Sequence, residues 1–237
     1  MAFPPDTTVG ELAGRLPGTI RVFQRFGIEF CCGGGRTLAR ACRAAGIPYE
    51  LLAAELEAAL ATSPRPDWSE RAITELTTHI VESVHDPLRQ ELPRLHTMAR
   101  RLEGHAGWTG LAVIEIRDVL ARFRSEAEAH ITEAERLLFP LVERLEQGDR
   151  RDGDASLVVE LRAAFETDHA AAGWTLRRLR EVTGNYQAPT NACPTMRGLY
   201  RGLEELETLT HLHVHMENNV LFPRAATLVG AAGFERL

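Results

Sequence analysis

The stretch His211-Leu212-His213-Val214-His215-Met216-Glu217-Asn218-Asn219-Val220-Leu221-Phe222-Pro223 decides the fold. On a helix, positions i and i+4 lie on one face with Cβ atoms about 5–6 Å apart, so His213 and Glu217 can both reach one metal ion. The same words occur earlier in the chain. His130 is followed by Leu138-Phe139-Pro140 at the spacing that separates His213 from Leu221-Phe222-Pro223. Two helices that each carry an inward His and end at one Leu-Phe-Pro signal predict a bundle with internal pseudo-symmetry. Bundle cores build metal sites in this way, from side chains on facing helices.

Working outward, residues 67–237 read as four long helical segments over 68–103, 109–147, 155–183 and 195–229, broken at 148–153 and 184–194. Asp67-Trp68-Ser69-Glu70 is a capping box for the first. Pro87 and Pro93 interrupt that segment, and a helix-interior proline removes a backbone hydrogen bond and kinks the helix. Residues 61–67, with two prolines and no periodicity, form a linker. Ahead of it, residues 1–62 read as a small helical domain. Thr8 and Glu11 make a capping box, a helix spans about Thr19–Phe26 with Gly27 as its C-cap, Thr37 caps the next helix, Gly46 ends it, and Pro48 opens another through Leu60. No strand pattern of convincing length appears. The expected class is all-α, a small N-terminal helical domain followed by an antiparallel four-helix bundle.

Composition excludes several functions. Of 237 residues, 44% are hydrophobic and 25% charged, as in ordinary globular proteins. The net charge of -6, with no large basic patch, argues against nucleic acid as a partner. No apolar run approaches the roughly 20 residues of a membrane span, and Met1–Asp6 carries no signal-peptide pattern. Four cysteines, two of them adjacent, fit a reduced, cytoplasmic chain better than a disulfide scaffold.

All nine histidines lie beyond residue 78. His85, His130, His169 and His213 each fall in a different long helix, and His105 lies at the first helix–helix connection. Neutral imidazole binds metals at physiological pH. Five such groups with Glu217 suit two metal ions sharing a carboxylate, and imidazole with carboxylate favours iron, manganese or zinc over copper(I). His211 and His215 read as flanking groups on other faces, and His79 and His96 as surface residues.

Phe30-Cys31-Cys32-Gly33-Gly34-Gly35 is the second informative stretch. Its glycines leave the thiols unshielded near a helix N-terminus, where amides and the helix dipole favour thiolate. Two readings stand: a reactive or iron-binding pair, with Cys31 and Cys32 as catalytic candidates, or two small buried residues before a turn. Cys42, on the following helix, reads as packing.

Together the Cys31-Cys32-Gly33-Gly34 signature and the His-rich region ending His213-x-x-x-Glu217-Asn-Asn-Val-Leu-Phe-Pro-Arg224 resemble the repair-of-iron-centres family of di-iron proteins, whose C-terminal domain is hemerythrin-like. The resemblance covers about residues 7–227. It implies two non-haem iron ions held by His85, His105, His130, His169 and His213, with Glu217 as a bridging carboxylate. It places Cys31 and Cys32 on the family's Cys pair and Cys193 on another family position. It implies repair of iron–sulfur clusters damaged by nitric oxide or oxidants, with iron–sulfur proteins as clients, nitric oxide or oxygen as small ligand, and an external reductant. Whether repair proceeds by iron donation or by reduction of nitric oxide to nitrous oxide is left open, as is enzymatic turnover itself.

One departure stands out. The first repeat should read His-x-x-x-Glu, yet His130 is followed at i+4 by Ala134. Glu133 at i+3 still shares the His face, whereas Glu135 at i+5 points away in a regular helix. The second iron is then completed by Glu133, by solvent or by an exogenous anion, and binds more weakly. Two competing readings are a hemerythrin-like carrier or sensor of oxygen or nitric oxide without turnover, and a metal-free regulatory bundle.

Overall fold

In the computed structural model, which describes residues 3–16, 19–30, 34–62, 68, 71–103 and 111–230, the secondary structure is helical, with one isolated bridge between Thr8 and Thr37 and no strand among the described residues. Cys31, Cys32, His105 and most of the Asp67–Glu70 box lie outside the described residues. No helix among them is long and apolar enough to cross a membrane.

The chain divides into two compact units, one of residues 1–78, 140–163 and 211–237 and one of residues 79–139 and 164–210. In the first, α1 (Val9–Arg15) is capped by Thr8, whose hydroxyl accepts from the Glu11 amide at 3.2 Å. α2 (Ile20–Arg25) follows, with Gly27 beyond it at φ +64°. α3 (Leu38–Ala45) starts at the cap Thr37 and stops at Gly46 at φ 68°, where a side chain would be strained. α4 (Tyr49–Thr62) packs on α2 and α3. Val9, Leu12, Phe23, Phe30, Leu38, Leu52 and Leu56 form the core here, joined by Val214. Cys42 is buried among them, and burial pushes its thiol up from its ordinary value.

α5 (Ile73–Ile80) begins five residues later than the sequence suggested. Its first amide, Ile73 N–H, donates to both carboxylate oxygens of Glu146, at 2.9 and 2.8 Å. Arg224 donates to the same carboxylate at 3.0 Å and to the Trp68 carbonyl at 2.9 Å. The helix start is thus set by a residue 73 positions away, which no local capping signal can reveal.

In the second unit, α6 (Asp86–Leu102) lies along α7 (Leu111–Glu133). Leu88, Leu92, Leu95, Ala99 and Leu102 are buried on α6, and Val113, Ile116, Leu120 and Phe123 on α7. The remaining helices are α8 (Phe139–Glu146), α9 (Asp154–Val182), α10 (Pro194–Met216) and α11 (Phe222–Val229). Gly202 of α10 lets Leu95 approach closely: a Cβ there would stand 2.4 Å from Leu95 Cδ2.

Three short π-helical turns interrupt the long helices, at Val81–His85, Ala134–Leu138 and Glu217–Leu221. Each ends two residues before a proline, namely Pro87, Pro140 and Pro223. A proline offers no N–H to the carbonyl four residues back and its ring crowds that carbonyl. The widened turn accommodates this, with Asp86, Phe139 and Phe222 amides bonding five residues back to Val81, Ala134 and Glu217. The break expected at Pro87 takes this form, whereas Pro93 sits inside α6 without ending it. The Leu-Phe-Pro repeat is thereby a structural repeat as well. Glu217 and Ala134 each open a π turn, and both are fully buried.

Candidate metal centre

Burial of ionisable groups is the first sign of a site. His85, His130, His169, His213 and Glu217 are all buried, and such groups are rarely enclosed without partners. His213, near the end of α10, has its Nε2 3.4 Å from Oε2 of Glu217, the first residue of the π turn that follows, as the i, i+4 spacing allows. His130 on α7 and His169 on α9 have ring centroids 4.9 Å apart, and His130 also packs on Phe165 at 4.4 Å. His130, His169, His213 and Glu217 each offer one ligand atom, and these four atoms all lie within 4.8 Å of one another. Three imidazoles and one carboxylate in a dry interior are a donor set suited to iron, manganese or zinc.

Two acidic residues orient histidines from behind. Glu135 lies 2.8 Å from His85 Nδ1 and is itself held by Arg89 through two bonds of 2.8 and 2.9 Å. Burial raises the Glu135 carboxyl, but the hydrogen bonds from Arg89 and His85 outweigh it and hold it below its ordinary value. An ionised carboxylate only accepts, so His85 Nδ1 carries the proton and Nε2 is the basic nitrogen. Asp168 stands 3.2 Å from His130 Nδ1 and fixes that ring in the same sense. Carboxylate partners of this kind set the tautomer of a ligating His and raise its basicity. His85 stacks on Phe139 at 5.6 Å and 9° and is not in the group of four.

Glu133 is half-buried and lines an open groove with His96, Arg124, Glu128, Arg136 and Leu137; it is not in the group of four either. Glu135, the second residue of the Ala134–Leu138 π turn, serves His85 and does not join the group of four. Sequence reasoning missed this role, for which the signal was only an acid five residues after His130. His105, Cys31 and Cys32 lie outside the described residues. His79 and His96 are half-buried, and His96 lines the open groove.

His211 and His215 face the N-terminal helices, not the donor group. Phe30 is packed between them and Phe23, at ring-centroid distances of 5.9, 5.8 and 6.2 Å. Burial lowers His215 to about 4, against opposing backbone hydrogen bonds with Ala13 and Phe30, so its ring is neutral.

Comparison with known proteins agrees with this arrangement. The model of the ScdA_N domain, a domain of unknown function (DUF542), matches residues 5–60, and that of the hemerythrin HHE cation binding domain matches residues 76–225. The all-α fold is therefore an N-terminal helical segment followed by a hemerythrin-type helical bundle. The iron-sulfur cluster repair protein YtfE of Edwardsiella ictaluri is 38% identical over 223 residues, which cover 93% of this chain and 96% of that protein. Those of Dickeya chrysanthemi and Cronobacter sakazakii are each 34% identical, over 93% and 95% of this chain and 96% and 98% of their own lengths. With both domains matched and the identity running nearly end to end, the chain belongs to the YtfE family of iron–sulfur cluster repair proteins.

Proposed function

We propose that this protein repairs iron–sulfur clusters damaged by nitrosative or oxidative stress, using two non-haem irons and the Cys31–Cys32 pair. The observation that carries the reading is the buried convergence of His130, His169, His213 and Glu217 within 4.8 Å. His85, held by Glu135, and His105 complete the proposed ligand set, and Glu133 or solvent stands in for the carboxylate that Ala134 lacks.

Bound iron supplies Lewis acidity and one-electron chemistry toward nitric oxide or oxygen. The chain's own part is to hold, orient and enclose. Glu217 contributes negative charge at zero exposure, which offsets the repulsion between cations. Glu135 and Asp168 keep the Nδ1 protons of His85 and His130 in place, so each ring presents Nε2 as donor. Phe139 stacks on His85 and Phe165 packs at a tilt against His130; both restrict ring rotation and exclude water. The thiol pair is assigned to handling iron or delivering electrons, with iron–sulfur proteins as clients.

Iron counted per chain tests the centre. The parent should take up iron anaerobically, and Glu217→Gln and His213→Ala should each lose most of it; unchanged iron in both variants would remove the site. Recovery of a nitric-oxide-treated iron–sulfur protein tests the function. The parent should restore it, and Cys31→Ser/Cys32→Ser should not. Reversible gas binding with inert thiols and no repair would replace this reading by that of a carrier.

A further inference from the structure

Phe30 and Gly34 stand immediately before and after Cys31-Cys32-Gly33. One side chain meets both. Asn219, the third residue of the Glu217–Leu221 π turn, donates from Nδ2 to the Phe30 carbonyl at 3.4 Å and lies 3.2 Å from His215 Nδ1. Its Oδ1 occupies the space that side chains at two glycines would need. A Cβ at Gly34 would come within 2.7 Å of it, and one at Gly10 within 2.6 Å. The two glycine backbones touch each other as well: Gly10 N–H donates to the Gly34 carbonyl at 2.8 Å, and a Cβ at Gly10 would stand 2.9 Å from Gly34 Cα. Glycine is needed at both positions for close approach, not for an unusual backbone angle. Phe30, 2% exposed and packed by Phe23, His211 and His215, anchors the first end through its ring.

Phe30 is thus hydrogen-bonded to, and Gly34 packed closely against, the third residue of a π turn whose first residue is Glu217. We infer that Asn219 is a positioning residue for Cys31 and Cys32, its carboxamide fixing the ends of their segment relative to Glu217. The inference rests on the proposed role of the thiol pair. Asparagine suits the position because its amide donates to a carbonyl on one side and presents a compact oxygen to two glycine backbones on the other. Alanine would leave the Phe30 carbonyl without this donor and open a gap beside both glycines. Aspartate would keep the volume but set a carboxylate against the carbonyl.

The experiment is alkylation of the full-length, iron-loaded protein, with rates followed separately for the Cys31/Cys32 pair and for buried Cys42. In Asn219→Ala and Asn219→Asp the pair should react about two- to tenfold faster, the size set by loss of one hydrogen bond. The pH midpoint of its reaction should move, while Cys42 and iron content stay at parent values. A general loosening of the N-terminal helices would instead expose Cys42 in parallel, since it belongs to their core. Gly34→Ala keeps Asn219 but forces the segment off it, and should change the pair's rate in the same way. It decides the matter should the Asn219 variants fail to fold. A parent-like rate for the pair in these variants, or a rise shared equally by Cys42, would overturn the inference. The labelling does not depend on repair. Should the rates shift as expected while Cys31→Ser/Cys32→Ser still restores clusters, the positioning stands and the proposed role of the thiols falls.

Discussion

Replacing Ala134 by glutamate should destabilise the metal-free protein and increase the stabilisation that iron confers. Ala134 opens its π turn as Glu217 opens the other, and both are 0% exposed, so a carboxylate at 134 enters a site closed to water. Without metal a carboxylate buried here and not neutralised costs about 3–5 kcal/mol. For a domain of this size 1 kcal/mol moves the melting temperature by about 2–4 °C, so the metal-free variant should melt roughly 6–20 °C lower. With iron the same carboxylate restores the His-x-x-x-Glu pattern of the second repeat. A direct ligand is worth no less than the upper end for an outer-shell partner, about a hundredfold in affinity. By mass action that is about 2.7 kcal/mol of extra stabilisation on loading. The gain in melting temperature on loading should therefore exceed that of the parent by at least about 5 °C. Differential scanning calorimetry and anaerobic iron titration of both proteins measure it, and stoichiometry should rise toward two irons per chain. If the parent already binds two irons as tightly and gains as much on loading, the missing carboxylate is not limiting and another group completes the centre.

Glu135→Gln removes the ionised partner of His85 Nδ1 and should weaken iron binding by about 10–100-fold, read by chelator competition, with the far-UV circular dichroism unchanged. Gly198→Ala on α10 should stabilise the fold and Gly202→Ala should not. At Gly198 a Cβ meets only the flexible Met98 Cε at 3.0 Å, so the gain in helix propensity of about 1 kcal/mol prevails. At Gly202 it meets buried Leu95 at 2.4 Å, and an overpacking cost of about 1–3 kcal/mol should equal or exceed that gain; urea denaturation separates the two. Asp154 accepts from Arg144 at 2.6 and 3.0 Å and from the Arg151 amide at 2.8 Å, which hold its carboxyl below the ordinary value. Its folded value is the lower one, so the stabilisation is complete above the unfolded value of about 3.9 and is lost as pH falls through the folded value. Asp154→Asn should flatten the acid limb of the melting curve in that window.

Local chemistry sets the N-terminal helices and the repeat. Periodicity, Thr8, Thr37, Gly27 and Gly46 place the N-terminal helices because caps and left-handed C-caps are local chemistry. The i, i+4 spacing of His213 and Glu217 puts both on one face because helical geometry is fixed. The shared His-to-Pro spacing recurs as two matching π turns, since a proline disturbs the same carbonyl wherever it stands. What the tertiary structure alone decided depends on partners far apart in the chain. Glu146 sets the first residue of α5, because an orphan amide accepts whichever carboxylate packing brings to it. Glu135, which does not join the group of four, becomes the partner of His85, because the face a residue turns from its own helix is the face it offers to the next. Asn219 meets Phe30, Gly10 and Gly34 across more than 180 residues of sequence, a juxtaposition created by packing and invisible to spacing.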